Sequence, residues 1–498
     1  MNDFSNRYDV RDFLRLLGII SYDGEPDDDL IISPGGEDGG HIYVNVERCI
    51  GPVYCPNCGT KMYSKGPVLR TVRHPILQHG KVLVIRLKQR KYRCTNKECN
   101  FYFNEEFGFV EKYKQTTVMI PYLILRDMKD ITLTCAAVSR RYQVSDTYVH
   151  SIMMRYLEFD PLPLSEIISI DEVFLDIEYD ERYVVVIRDF ISGDIIDILP
   201  NRYDETLSAF FRKYPKEERM KVKFVISDMY DAYLRLPFRF LYNSRSVIDS
   251  FHVIQVIEKS MRRYIDNVKK RYQKKLSEER EDNNFRINRN YKTRKDSVEL
   301  VLLKRHKWVL LAKPGNEPEI SSKHYSKALG IYPTVEKIQK MFLDLDPMFR
   351  PLKEMRDRYL FFNDDYVGDP EGAAPALKEL IAGYRESDHS IYHEFADLLE
   401  KHFDQIILSF HVVKREDDDK QVFYQRLSNG PMEGFNRKPK DMKRLARGFS
   451  NFSFVRNRLL WSSRKNAAIL AVPKQEEDIE RSGKRKKRGP YRKHKAPR

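Results

Sequence analysis

What the chain lacks narrows its class first. No uninterrupted apolar run approaches the roughly 20 residues that cross a bilayer, and no amphipathic basic helix offers a surface anchor. A membrane role is not expected. The opening MNDFSNRYDVRDF is acidic and polar where a leader would be charged and then apolar, so no export signal is expected either. Cysteine is scarce, with six in 498 residues, and four of them fall in two close pairs. That usage argues against a disulfide scaffold and suits an intracellular protein with a bound metal. Acids are outnumbered: 88 Lys and Arg against 73 Asp and Glu leave a formal charge of +15, which favours a polyanionic partner without fixing a fold. The length allows about two to four domains, each with its own core.

What is present centres on residues 166–233. IISIDEVFLDIEY is β-rich and carries Asp171 inside its apolar run; RYVVVIRDF and DIIDILPNR follow, then a polar helical stretch from Asp204 to Lys213. KVKFVISDMYDAY then runs as a strand straight into Asp228. Strand, strand, strand, helix, strand is the order of an α/β RNase H-like sheet, a mixed sheet of order 3-2-1-4-5. Its first and fourth strands are neighbours, which would bring Asp171 and Asp228 to one edge. A carboxylate between Ile170 and Val173 is costly to desolvate unless paired or bound to metal. Paired carboxylates are what Mg²⁺ uses in phosphodiester cleavage. The alternative is a strand-edge salt bridge at Asp171, with Glu172 or Asp176 facing solvent.

A third acid stands far downstream in SNGPMEGFNRKPKDMKRLARGFSNF. Asn429, Gly430 and Pro431 fit a helix start, which puts Glu433 in the first turn, where the helix dipole favours negative charge. Asn436, Arg437, Lys440 and Arg444 follow at three- and four-residue steps, a basic face suited to DNA. Pro439 is expected to kink or split this helix. A plain amphipathic helix with a solvated charged face is the alternative for Glu433 taken singly.

The blocks ISIDEVFLDIEY, VVIRDFISGDIIDILPNR, FVISDMYDAY, SVIDSFHVIQ and SNGPMEGFNRKPKDMKRLARGFSNF resemble, in order, those of the ISL-three family of insertion-sequence DDE transposases. The likeness takes in the cysteine module and runs from about Leu16 to Trp461; Pro439 stands where the family has an aliphatic residue. It implies an Asp171, Asp228, Glu433 triad that holds two Mg²⁺ (or Mn²⁺) ions. It also implies cleavage and strand transfer at terminal inverted repeats, a homodimer or larger assembly on DNA, and a bacterial cytoplasmic or nucleoid setting. Asp249 and His252, three residues apart in SVIDSFHVIQ, are second-tier candidates for orienting the metal or serving as a base; a plain helix-start role for His252 is the alternative.

Upstream, residues 1–50 read as a scaffold of one helix (DVRDFLRLLGI), a PGGEDGG loop and a strand. Residues 51–112 form a zinc module. Cys55, Cys58, Cys94 and Cys99, in a CxxC and a CxxxxC, are expected to close a structural Zn²⁺ tetrahedron. His74 is a possible substitute ligand, and Cys49 and Cys135 are spectators. Between the pairs, Arg70, Arg73, Lys81, Arg86, Lys88, Arg90, Lys91 and Arg93 form a basic ribbon that could track phosphates. Residues 113–160 read as a helix–turn–helix with Ser145 as N-cap, Thr147, His150 and Arg155 outward with Asp146, and Val149, Ile152 and Met153 inward; a plain packed helix pair is the alternative.

Residues 164–253 open the catalytic domain, 254–427 form a large helical insertion, 428–470 return the helix with the third acid, and 471–498 are a basic disordered tail. Trp308 is expected in a core. Phe449, Phe452 and Phe454 among Arg447, Arg456 and Arg458 suit DNA ends or plain helix packing equally. A noncatalytic DNA-binding derivative and a nuclease of the same fold are the rival functions.

Overall fold

A computed structural model of the protein describes residues 29–78, 81–112, 114–178, 181–282, 296–387, 389–416, 420–449 and 451–479. The expected N-terminal helix and the basic segment 483–498 lie outside the described residues. Two compact units emerge, residues 1–159 with 441–498, and residues 160–440; the division falls inside helix Gly430–Ala446.

In the second unit, five strands form one sheet: β6 (Ile167–Glu178), β7 (Glu181–Asp189), β8 (Ile195–Leu199), β9 (Phe224–Ser227) and β10 (Arg245–Ile248), in the order β10-β9-β6-β7-β8. The runs VVVI in β7 and IIDIL in β8 are buried throughout, as expected of strands covered on both faces. β6, β7 and β8 pair antiparallel as a meander, and β9 lies parallel to both β6 and β10. The crossover from β8 to β9 is helix Asp204–Arg212, whose acids Asp204 and Glu205 stand in its first turn and whose Leu207, Phe210 and Phe211 are buried. Those three join Ile168, Ile170, Val185 and Val225 in one core. Beyond β10, helices from Ser250 to Leu408 surround a larger core built on Ile257, Met261, Phe342, Phe349, Tyr359 and Phe395. Trp308 packs half-buried against it. A hairpin of β11 (Val412–Glu416) and β12 (Val422–Arg426) follows, an element the helical reading of 254–427 misses.

In the first unit, β1 (Leu30–Glu37), β2 (His41–Arg48), β3 (Met62–Gln78), β4 (Lys81–Cys94) and β5 (Tyr102–Asn104) make a single sheet. Strands from both sides of residue 50 share this sheet: β2 runs parallel to β4 from His41↔Val82 to Glu47↔Lys88. The expected PGGEDGG loop is corrected: Pro34 to Glu37 are strand, with a register shift that absorbs Gly35 between Pro34 and Gly36. Helices Met119–Met128, Cys135–Tyr142 and Asp146–Tyr156 come next. Ser145 caps the last by accepting from the Tyr148 N–H at 3.1 Å, and Gln143 makes the turn in the left-handed region at φ 51°. Val149, Ile152 and Met153 are fully buried. Helix Phe452–Ser463 packs on this group: Asn457 donates to the Leu157 carbonyl and Trp461 to that of Leu125, each at 2.8 Å. Among the described residues no helix is long and apolar enough to cross a membrane.

Candidate functional site

The carboxyl ends of the three parallel strands gather acids. β6 pairs with β9 as Ile168↔Val225 and Ser169↔Ile226, so two further residues along each strand bring Asp171 and Asp228 level. β10 pairs Ile248 with Ser227, and Asp249 follows at once, its N–H donating to the Ser227 carbonyl at 3.2 Å. His252 stands in the first turn of helix Ser250–Asp282. Its backbone N–H donates to the Asp249 carbonyl at 3.1 Å.

Helix Gly430–Ala446 brings the third acid to the same edge. Asn429 is buried; its side chain donates to the Ile170 carbonyl on β6 at 3.2 Å, and its backbone N–H bonds to the Asp249 carboxylate. Its carbonyl accepts from the N–H groups of Met432 (2.8 Å) and Glu433 (3.0 Å), which starts the helix. One turn on, Asn436 donates to Asp171 Oδ2 at 2.7 Å. Glu433 lies between these two anchors. The helix is continuous through Pro439, so the expected split is corrected: the ring is buried and the helix runs unbroken to Ala446.

The electrostatics follow from that crowding. Burial pushes the Asp171 carboxyl up, Asp228 adds repulsion, and the Glu172 N–H, His252 and Asn436 hold it down. Burial likewise raises Asp249 and Glu433, and Glu433 also feels the charges of Asp249 and Asp171. Oδ2 of Asp249 and Oδ1 of Asn429 and Asn436 are buried without a hydrogen-bond partner. Carboxylates raised by burial at one sheet edge are the donor type a hard divalent cation takes, so these residues fit Mg²⁺ or Mn²⁺ in their chemistry. Among the described residues the acids do not themselves form a closely clustered ligand group of three; the four cysteines do.

Glu172 belongs to a separate cluster that sequence reading missed. It accepts from Tyr233 at 3.0 Å and from Arg202 at 3.1 and 3.2 Å, and it is not left facing solvent. Tyr233 lies in the short helix that follows Asp228, so this cluster ties β6 to the second acid's loop.

The cysteine knuckles converge as their spacing predicts. Sγ of Cys55 and Cys99 are 3.6 Å apart, those of Cys58 and Cys94 3.5 Å, and all four lie within 4.8 Å of one another. A tetrahedron with Zn–S near 2.3 Å has edges of about 3.8 Å, so the quartet fits zinc. Hydrogen bonds from Thr60 hold the Cys58 thiol at about 6, while burial pushes Cys94 up to about 12. His74 is no ligand here: it is 1% exposed on β3 and bonded through Nδ1 to Thr117 at 3.0 Å.

Several residues expected on a DNA face are placed otherwise. Arg90 is buried, paired with Glu47 at 3.0 Å and Glu105 at 3.5 Å. Arg155 is buried rather than outward, donating to the Lys474 carbonyl at 3.1 Å and paired with Glu111 at 3.5 Å. Asn436 serves Asp171. His150 is half-buried, its ring stacked on Phe454 at 4.4 Å. Arg86 lies over the Tyr43 ring at 3.7 Å, and Lys91 near Tyr102 at 4.6 Å. Lys88 and Thr147 are exposed, the former paired with Glu47, and so are Arg437, Lys440 and Arg444.

No match is found among curated proteins. A family model described as a transposase matches residues 168–459, more than half of the chain, from the strand of Asp171 to beyond Glu433. The chain belongs to the ISL-three-type DDE transposase family.

Proposed function

We propose that this transposase binds the terminal inverted repeats of an insertion sequence, cuts them, and joins them to target DNA at a centre made of Asp171, Asp228 and Glu433. The observation that carries the reading is the Asn436–Asp171 hydrogen bond, which ties the helix of the third acid to the strand of the first across 265 residues of chain. The strand order and the helical crossover support an RNase H-like catalytic domain.

In this reading Asp171, Asp228 and Glu433 hold two divalent cations. Such ions, when bound, activate the attacking oxygen and neutralise the leaving one. The chain's own part is positional. Asn436 fixes the rotamer of Asp171, and Asn429 fixes the start of the Glu433 helix. Tyr233 and Arg202 hold Glu172 in a neutralised contact, so that it does not add charge to the triad. Asp249 follows directly on β10 and His252 opens the next helix, which puts both beside the strand end that carries Asp228. Water attacks the phosphodiester to leave a 3′ hydroxyl, and that hydroxyl attacks target DNA in turn. Neither displacement needs a covalent protein–DNA link. The zinc module and the helix–turn–helix supply DNA binding, with Lys88, Lys91, Thr147, Arg437, Lys440 and Arg444 as phosphate or groove contacts. Joining two ends calls for a homodimer or a larger assembly.

The test is a cleavage and strand-transfer assay with Mg²⁺ on the element's own ends. Asp171→Asn, Asp228→Asn and Glu433→Gln should each abolish cutting while end binding persists. A variant that cuts at the normal rate removes its residue from the centre, and hydrolysis without joining turns the reading to a nuclease.

A further inference from the structure

The first unit contains a cavity that the proposed chemistry does not use. It measures about 610 Å³ and lies among helix Cys135–Tyr142, the start of helix Asp146–Tyr156, and residues 445–449 and 451–458. Pockets of roughly 300–1,000 Å³ hold small organic ligands.

Arg458 lines this cavity and is 1% exposed. Its Nη2 donates to the carbonyls of Asp130 and Ile131, at 3.4 Å each, and to that of Leu133. Its Nε has no partner. A buried guanidinium N–H without an acceptor is costly. The carboxylate whose charge Arg458 feels, Asp130, is itself bonded to the Thr132 N–H at 2.9 Å and hydroxyl at 2.8 Å.

The other lining residues point to the same chemistry. His150 is stacked on Phe454 with an interplanar angle of 15°, and Phe449 adds a second aromatic surface. Burial lowers the pKa of His150, so its ring is a neutral stacking surface near pH 7. At the rim, Arg140 and Arg447 are exposed. The acid lining the cavity, Asp146, accepts from Ser139. Aromatic faces within the cavity and cations at its rim together match a base with its phosphate.

We infer that this cavity receives one unpaired nucleotide of a DNA end, its base against the His150 and Phe449 rings and its phosphate at Arg140 and Arg447. The inference rests on the reading of the protein as one that binds DNA ends. It makes the helix–turn–helix and the C-terminal segment joint walls of one site for frayed ends.

The test uses the full chain and two fluorescent probes at one salt concentration. One probe is a blunt duplex; the other is the same duplex with a short unpaired tail carrying 2-aminopurine. The tailed probe should bind about fivefold tighter or more, one stacked base being the difference. Its 2-aminopurine emission should be quenched on binding. In Phe449→Ala and Arg447→Ala the ratio of the two affinities should fall to near one. Equal affinities with unquenched emission, alongside salt-dependent binding of the blunt duplex, overturn the cavity assignment and leave the DNA reading intact. Binding of neither probe overturns both.

Discussion

Replacing Asn436 with alanine isolates the contact on which the proposed centre depends. Asn436 is 6% exposed and donates to Asp171 Oδ2 at 2.7 Å, while its own Oδ1 has no partner. Truncation removes two things of opposite sign. A hydrogen bond to a charged acceptor is worth about 1.5–3 kcal/mol, and a buried unsatisfied oxygen costs about 1–3 kcal/mol, so the net change in folding stability should be small. The effect on the cation is not offset. Asn436 helps hold the Asp171 carboxyl down, and without it that carboxyl rises further and competes with the cation for a proton. Losing about 1.5–3 kcal/mol weakens binding about 10- to 150-fold. Free Mn²⁺ measured by electron paramagnetic resonance gives the affinity directly, and a thermal melt of the same sample gives the stability. The expected result is a raised Mn²⁺ half-saturation, a melting temperature within a few degrees of wild type, and cleavage restored at saturating Mn²⁺. Partial rescue should come from Asn436→Ser, which keeps a donor. An unchanged Mn²⁺ affinity with a lowered melting temperature would make Asn436 merely structural and refute the reasoning.

Other expectations follow from burial and charge. Asp171, Asp249 and Glu433 are all raised by burial, so the folded state binds protons more tightly than the unfolded chain. Without divalent cation these groups should therefore stabilise the fold increasingly as pH falls from neutral toward about 4. Added Mg²⁺ should raise the melting temperature more at neutral than at acid pH, and an acid-favoured gain would contradict the assignment. Removing zinc with a chelator, or Cys58→Ser, should abolish hydrogen-exchange protection at the Tyr92–Cys94 end of β4 and in β5, because the core there is Cys55, Met62, Tyr92 and Cys94 with a few half-buried neighbours. Protection in β6 to β10 should persist, and its simultaneous loss would count against a module-level role for the metal. Arg356→Ala should cost about 3–5 kcal/mol in a urea melt. Its guanidinium is 3% exposed and bonded to Glu258 at 2.8 Å and to the carbonyls of Leu311 at 2.7 Å and Ala312 at 3.1 Å. A loss below about 1 kcal/mol would show that neighbouring groups reorganise around the gap.

The parts legible in the sequence were those set by local pattern. β-branched runs marked the strands that carry Asp171 and precede Asp228. Ser145 before a periodic stretch marked a helix start, and the two cysteine pairs marked a tetrahedron. The parts that stayed hidden depend on partners distant in the chain. Arg90 and Arg155 read as members of a basic surface because Glu47, Glu105 and Glu111, which neutralise them, lie outside their own elements. The pairing of β2 with β4 is parallel and skips a strand, so no hairpin signal announces it.

Asn436 is the instructive case. Its position one turn after Glu433 is visible in the sequence, where that spacing reads as the start of a DNA face. The same spacing places it on the acid's own side of the helix, where a neutral amide beside a carboxylate is a positioning group. Pro439 read as a break because it cannot donate to the i−4 carbonyl, yet one missing bond is tolerated in a helix otherwise anchored by Met432, Phe435 and Met442 in buried positions.

Iron-directed cleavage tests the central claim most directly. With Fe²⁺ in place of Mg²⁺, ascorbate and peroxide generate radicals at the bound ion that cut the backbone beside its ligands. The account predicts cuts near residues 171, 228 and 433 together, competed by Mg²⁺ and lost in Asp171→Asn. Cuts confined to one of these segments, or found only beside the cysteine module, would contradict it.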